Sequence, residues 1–268
     1  MIVVNNGGDL SQLKLDFSSL PVIFIEADAN LGFSKANNLG FKKAEGEIIL
    51  YLNSDVIFHE PVVNACMDAL QKNRDIGAVG CKLLNNDLSL QLSYHDGDRV
   101  FSKLWWRNPF CIKWMKGTMK AANSMNSIMR RHQNDHCPNW ITGAFIMLNK
   151  ADIINNNWTW DEAFFMYWED VELCYRIRKS GKKILYLAQP TLIHLGGGGT
   201  EVSINRFSWL EDSKLIFLKK QSKFKHWLYL RLVKLELKLE YWFLKDKMDV
   251  LAKPNLYLQK ELDYYGIK

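Results

Sequence analysis

The sequence predicts an α/β protein: a mixed, mostly parallel sheet flanked by helices, followed by a helical extension at the C-terminal end. Two observations carry this. Short runs of β-branched and aliphatic residues alternate with segments of helical period through most of the chain, which is the pattern of an open α/β sheet. From about Phe207 onward the pattern becomes continuously helical and basic. These changes predict one domain over residues 1–206 and a basic amphipathic tail over 207–268.

Ile2-Val3-Val4 reads as a buried strand, and Asn5-Asn6-Gly7-Gly8-Asp9 as the turn after it. Val22-Ile23-Phe24-Ile25 is a second strand. Asn30-Leu31-Gly32-Phe33-Ser34 forms a loop leading into a helix from about Lys35 to Ala44. Glu47 to Leu52 is a third strand that stops at Asn53-Ser54-Asp55. A helix from Val62 to Lys72 and a strand from Ile76 to Gly80 follow. Between Leu83 and His136 the pattern loosens, with Trp105, Trp106 and Trp114 set among basic residues; an excursion over a site and a second small core fit equally. Trp140 to Leu148 reads as another strand, in which Gly143-Ala144 would let a ligand approach the backbone. Lys183 to Leu187 is the last strand, leading through Pro190 to His194.

The chain has 268 residues, long enough for one large domain with an appendage, and a formal charge of +6 that suits an anionic partner. No apolar run approaches the roughly 20 residues of a membrane span. Its five cysteines lack paired spacing and no signal peptide precedes them, so free thiols in a reducing cytoplasm are expected and a zinc site is not.

The stretch from Trp160 to Arg176 carries the chemistry. Val171, Leu173, Cys174 and Ile177 recur at helical spacing, which puts Glu169 and Asp170 in the first turn of a helix, where its dipole favours negative charge. Such acids can be simple helix decoration, with Glu172 paired to Arg176 on a solvated face. The preceding Phe164, Phe165, Tyr167 and Trp168 point further, because an apolar wall desolvates a carboxylate and readies it as a general base. Asp55 and His194 fall at the same end of the sheet. Each alone has an ordinary structural reading; together they could share a divalent cation.

With Asn30 to Gly40, Leu52-Asn53-Ser54-Asp55-Val56, Thr142-Gly143-Ala144-Phe145, Phe164 to Arg176, and His194 to Thr200 in series, the chain resembles the family 2 glycosyltransferases of the GT-A fold, in the rhamnosyltransferase-like branch. The resemblance covers about residues 1 to 205. It implies inverting transfer from a nucleotide-diphosphate sugar, of the dTDP or UDP kind, to a glycan or lipid-linked acceptor, with Mg²⁺ or Mn²⁺ at the diphosphate. By position it assigns Asp170 as the base with Glu169 beside it, and Asp55 and His194 as metal ligands. It places Asn5, Asn30, Gly32, Lys35, Asn37, Asn38 and Asn53 toward the donor, and Trp140, Thr142, Gly143 and Trp168 toward the acceptor. Family members carry a further strand and helix before the segment that matches Ile2-Val3-Val4, so a sheet whose central strand is missing or supplied by another chain is expected. They also place an Asp where this chain has Asn5. A truncated or inactive relative acting as a binding or scaffold subunit at the membrane is the alternative reading.

In the tail, Trp209, Leu215, Phe217, Trp227, Leu228 and Trp242 are interleaved with Lys219, Lys223, Lys225, Arg231, Lys234 and Lys238. Such a stretch suits peripheral contact with an anionic membrane, and equally packing on the first domain or on a second copy of the chain. No motif for nucleic-acid binding accompanies it.

Overall fold

The computed structural model describes residues 1–7, 11–16, 18–96, 127–196, 204–248 and 256–267. Trp105, Trp106, Trp114 and the glycines from Gly197 to Gly199 lie outside these. The described residues divide into two compact units, one of the residues up to 96 and from Met129 through Ser213, the other of residues 127–128 and those from Lys214 onward.

In the first unit, β1 (Ile2–Asn5) pairs in parallel with β2 (Ile23–Glu26), and α1 (Ser11–Asp16) connects them. Among the described residues these two strands form a sheet of their own. α2 (Gly32–Phe41) follows, then β3 (Ile48–Leu52), β4 (Val56–Phe58), α3 (Val62–Lys72), β5 (Ile76–Leu84), β6 (Leu90–Gln91) and β7 (Tyr94–His95). After them come β8 (Trp140–Ile141), β9 (Phe145–Asn149), α4 (Lys150–Asn156), α5 (Glu169–Lys179) and β10 (Lys183–His194). The main sheet has the order β3-β9-β5-β10-β4, with β6 on β5.

The mixed α/β architecture agrees with the sequence; the expected parallel majority does not. Among the described residues only β5 and β10 pair in parallel in the main sheet, while β3–β9, β5–β9, β10–β4 and β5–β6 are antiparallel. The reason is one insertion and two edges. β3, β5 and β10 share a direction, but β9 enters antiparallel between β3 and β5, and β4 and β6 fold back on their neighbours.

Alternation along the strands divides the core into two layers, because successive side chains leave a strand on opposite faces. Ile49, Tyr51, Ala78, Ile146, Leu148 and Ile184 join Trp158 and Trp160 and the α5 residues Leu173, Cys174 and Ile177 on one face. Val79, Cys81, Phe145, Met147 and Leu192 meet Val62, Cys66 and Leu70 of α3 on the other. The three α3 residues are spaced i, i+4, i+8, the single stripe an amphipathic helix needs.

Residues 140–148 are not one strand. β8 pairs with β7 in a small sheet, and β9 belongs to the main one. Between them the backbone separates onto three partners: Thr142 N–H donates to Ser93 O, Gly143 N–H to the Asp170 carboxylate, and Ala144 O accepts from Asn53 N–H. The apolar run is continuous, but its small residues break the ladder to serve a site.

α6 (Ile204–Gln221) begins in the first unit, where Trp209 packs on Phe165 with ring centroids 5.1 Å apart. The second unit holds the end of α6 together with α7 (Lys223–Met248) and α8 (Leu256–Tyr264). Among the described residues no helix is long and apolar enough to cross a membrane.

Candidate active site

The N-terminus of α5 follows two consecutive residues with left-handed backbone, Tyr167 at φ 70° and Trp168 at φ 67°. Non-glycine residues rarely adopt this conformation, and a pair of them costs energy that packing must supply. The packing is visible. Met166 O accepts from the Ser213 hydroxyl at 2.9 Å, the Arg206 guanidinium lies over the Tyr167 ring, and Phe165 O accepts from Phe33 N–H at 2.7 Å. Gly32 makes the last contact possible: a Cβ there would lie 2.4 Å from Phe165 O, and its φ is +77°. Gly32 is thus a close-approach residue between the α2 loop and the aromatic loop.

Asp170 takes two backbone hydrogen bonds, from Gly143 N–H at 3.0 Å and from its own neighbour Val171 N–H at 2.8 Å. The residue is half-buried, and desolvation outweighs those bonds and raises its carboxyl above the ordinary range. Glu169 is 6 % exposed and its Oε2 has no hydrogen-bond partner. Burial first, and the adjacent Asp170 charge second, push its carboxyl up to about 8. Two neighbouring carboxyls in one dry setting resist losing both protons. Asp170 keeps the accessible position.

Glu172 does pair with Arg176, at 2.8 Å, but not on a solvated face: Glu172 is buried. Arg176 also donates to Asn157 O and Thr159 O, because the segment leading to Trp160 covers this side of α5. Asn38 serves the same segment. It donates to Trp160 O and Glu162 Oε1 and accepts from Trp160 N–H, so its amide is committed within the protein.

At the other side of the site, β4 and β10 pair His194 with Val56, one residue after Asp55. His194 Nε2 lies 3.2 Å from Asp55 Oδ1 and 3.4 Å from Asn53 Nδ2. Its Nδ1 lies 2.6 Å from Gln91 Oε1. The Gln91 amide nitrogen already donates to Asn85 Oδ1 and His194 O, so the atom facing the ring is an acceptor and Nδ1 carries the hydrogen. In the neutral ring this leaves the Nε2 lone pair facing a carboxylate oxygen, an arrangement that a proton or a cation between them satisfies. A carboxylate and an imidazole suit Mn²⁺ or Mg²⁺, which typically take only a few protein ligands and fill the rest with phosphate and water. Among the described residues no third acidic, histidine or cysteine side chain joins them.

Hydrogen bonds link the two sides. From His194 the path runs to the Asn53 side chain, from Asn53 N–H to Ala144 O at 3.0 Å, and from the adjacent Gly143 N–H to Asp170. Trp140 stacks on His95 at 4.4 Å, while Thr142 and Trp168 are half-buried.

The residues expected at the donor sit as follows. Asn5 is buried at the end of β1, donating to Glu26 and accepting from Gly7 N–H. Asn30 accepts from Gly32 N–H, Asn37 donates back to Phe33 O within α2, and Lys35 is exposed. Asn6, which the sequence did not single out, organises this loop: it donates to Asn30 Oδ1 and Gly32 O and accepts from Leu31 N–H. Gln91 was missed as well. Its place after the Asn85–Ser89 turn signals a hairpin, and nothing in the local pattern announces a partner more than a hundred positions away.

The comparisons with known proteins bear on the family and the fold. The chain is 26% identical over 171 residues to the rhamnosyltransferase WbbL of Escherichia coli (strain K12), a match covering 61% of this chain and 60% of that one. It is 28% identical over 169 residues to the O-antigen biosynthesis protein RfbC of Myxococcus xanthus, covering 62% of this chain but 12% of the relative. The crystal structure of GalNAc-T7 with UDP, GalNAc and Mn²⁺ superposes with a TM-score of 0.54 at 15% identity, over 100% of this chain and 48% of that one. At that identity the likeness shows the fold, which is GT-A. Residues 1–136 match the profile of glycosyl transferase family 2, and the chain belongs to that family.

Proposed function

We propose that this protein is an inverting glycosyltransferase that moves a sugar, rhamnose being the first candidate, from a dTDP- or UDP-linked donor to a hydroxyl of a surface-polysaccharide or lipid-linked glycan acceptor. The similarity to a rhamnosyltransferase and to an O-antigen biosynthesis protein supports the sugar and the polysaccharide. The observation that carries the reading is the hydrogen-bonded path from His194 through Asn53 and Ala144–Gly143 to Asp170, which links a cation-suited pair to a desolvated carboxylate.

Asp170 accepts the proton of the acceptor hydroxyl as that oxygen forms its bond to the anomeric carbon. The bond from that carbon to the diphosphate breaks on the opposite face, and its electron pair leaves with the diphosphate oxygen. The raised carboxyl of Asp170 suits a base, since a stronger base takes the proton more readily. Gly143 and Val171 hold the carboxylate still through their N–H groups. Trp140, Thr142 and Trp168 border the acceptor, and the loop of Asn6, Asn30 and Gly32, with Asn5 and Lys35, borders the donor. Asp55 and His194 would hold Mg²⁺ or Mn²⁺, which when bound neutralises charge growing on the departing diphosphate.

A thermal-shift panel tests this, with Mn²⁺ or Mg²⁺ plus UDP, dTDP, GDP or CDP. A ligand at about a hundred times its Kd stabilises the native state by about 2.7 kcal/mol. The expected result is a metal-dependent rise with UDP or dTDP; a folded protein that shifts with none of the four overturns the reading. NMR of the product's anomeric centre then reads inversion directly.

A further inference from the structure

Phe33, in the first turn of α2, is held by its main chain at one loop and reaches another with its ring. Its N–H donates to Phe165 O at 2.7 Å, its carbonyl accepts from the Asn37 amide at 2.9 Å, and the ring meets Trp160 edge-on with centroids 5.0 Å apart. So far this is core packing, since Trp160 is fully buried and Phe33 lies half-buried against the same cluster. The far end of the ring goes further. A Cβ built on Gly143 would lie 3.3 Å from Phe33 Cζ, 3.6 Å from Phe33 Cε1 and 3.6 Å from Asp170 Cβ. The ring tip and the root of the Asp170 side chain meet at one Cα.

Gly143 is informative by what it lacks. Its backbone is not left-handed, so no turn demands a glycine there. Space does, because a side chain at this position would crowd the Phe33 ring. The N–H of the same Gly143 donates to the Asp170 carboxylate at 3.0 Å. A rigid ring against this Cα fixes the peptide that aims the N–H and takes room that water would fill. Burial is the largest influence on the Asp170 carboxyl, which it raises. The titratable neighbours of that carboxyl, Glu169 and Cys174, lie on α5 itself, while α2 and the β8–β9 segment offer the uncharged ring edge and N–H group.

We propose that Phe33 is a positioning residue for the transfer reaction: its ring, pressed on Gly143, aims the N–H that holds Asp170 and keeps water from that carboxylate. The inference rests on Asp170 being the base, and its test therefore reads the carboxylate before it reads transfer.

The full chain, labelled with carbon-13 at its aspartate carboxyls, is titrated by NMR, and the Asp170 signal is identified by its loss in Asp170→Asn. Phe33→Leu keeps an apolar side chain without the ring tip, and Phe33→Ala opens the space altogether. In both the Asp170 signal should titrate at lower pH than in the parent, because water reaches the carboxylate. Adding Gly143→Ala to Phe33→Leu puts a methyl group where the ring tip was and should return the titration toward the parent's. Circular dichroism confirms folding, with Phe33→Leu the milder change. In transfer assays the acid limb of the pH profile should move with the NMR titration, and the alkaline plateau should fall about tenfold in Phe33→Leu. Metal-dependent nucleotide binding should stay within about twofold. A residue that only fills the core would lower the melting temperature and leave the Asp170 titration in place, and that result overturns the proposal. Loss of nucleotide binding equal to the loss of rate overturns it too, by assigning Phe33 to the donor loop. The titration uses no substrate, so its failure is distinct from failure of the transfer reading.

Discussion

Asp170 and Asp55 are both aspartates at the edge of one site, yet their surroundings differ in every respect that matters to a carboxylate. Asp170 has an N–H group on each oxygen, a buried glutamate beside it and an aromatic loop before it. Asp55 has a 32% exposed side chain and faces one imidazole, with His194 itself held by Gln91. A proton acceptor gains from a fixed, dry setting, because its basicity rises as water leaves. A ligand for an exchangeable ion and a departing diphosphate must stay open to both. Two consecutive left-handed residues, Tyr167 and Trp168, set the carboxylate side, while the turn that leads to Gln91 on the other side holds one, Leu88 at φ 62°.

The sharpest break in this contrast is Asp170→Asn. It keeps the shape and can still meet one N–H group, but it cannot take a proton. Transfer should fall by roughly a thousandfold, within the span general-base catalysis supplies. Metal-dependent nucleotide binding, read by thermal shift, should stay within about twofold. Equal loss of both would mean that Asp170 supports the fold of the site and is not the base.

The next effect belongs to Glu169 and is one of stability. Its carboxyl rises from 4.5 to about 8 on folding, so between those values the native state binds more protons than the unfolded one. Stability is fully present below pH 4.5 and falls as pH rises through about 8; Asp170, also raised, acts in the same sense. Linkage puts the loss at roughly 5 kcal/mol across the window. Glu169→Gln should flatten the Tm-against-pH curve there. A curve unchanged by the substitution would remove Glu169 as the source.

How much of this was readable in advance differs between the two sides. Helical period placed Glu169 and Asp170 in a first turn, and the aromatic run before them announced desolvation. Asp55 and His194 were placed at one sheet end by strand order alone. What periodicity reports is which side faces the core, not which polar atoms meet. Hence Glu172 and Arg176 read as a solvated pair when the Asn157–Thr159 backbone covers them, and residues 140–148 read as one strand when Gly143 leaves the ladder to bond Asp170. Asn6 and Gln91 act across gaps of tens to a hundred residues, and local pattern carries no information about such pairs. The antiparallel β9 escaped for the same reason, since an apolar run does not state its direction.

On the open side, Asp55→Ala removes one of two protein donors for the cation. The expected outcome is a weakening of Mn²⁺-dependent nucleotide binding by about a hundredfold, with metal-free stability changed by less than about 1 kcal/mol, since Asp55 is partly exposed and its side chain faces a single imidazole. Calorimetric titration of Mn²⁺ and nucleotide measures the first and a metal-free melt the second. If Mn²⁺ dependence survives, the cation is held elsewhere and the pairing with His194 is a structural one.

Gln91 gives the smallest and most specific effect. Its Oε1 fixes the hydrogen on His194 Nδ1 and so turns the Nε2 lone pair toward Asp55. Groups that orient a metal-binding imidazole are typically worth about 10- to 100-fold in affinity. Gln91→Leu fills similar space but offers no acceptor, which frees the ring to take the other tautomer or turn. Mn²⁺ affinity, followed by electron paramagnetic resonance of the free ion, should drop about tenfold. Gln91→Glu still accepts from Nδ1–H and should recover most of that loss, although it cannot donate to Asn85 or to His194 O. A role confined to the β5–β6 hairpin predicts the reverse, because both substitutions lose those two donations and would weaken binding alike. The ratio between the Leu and Glu variants therefore decides whether Gln91 acts through the histidine or through the fold.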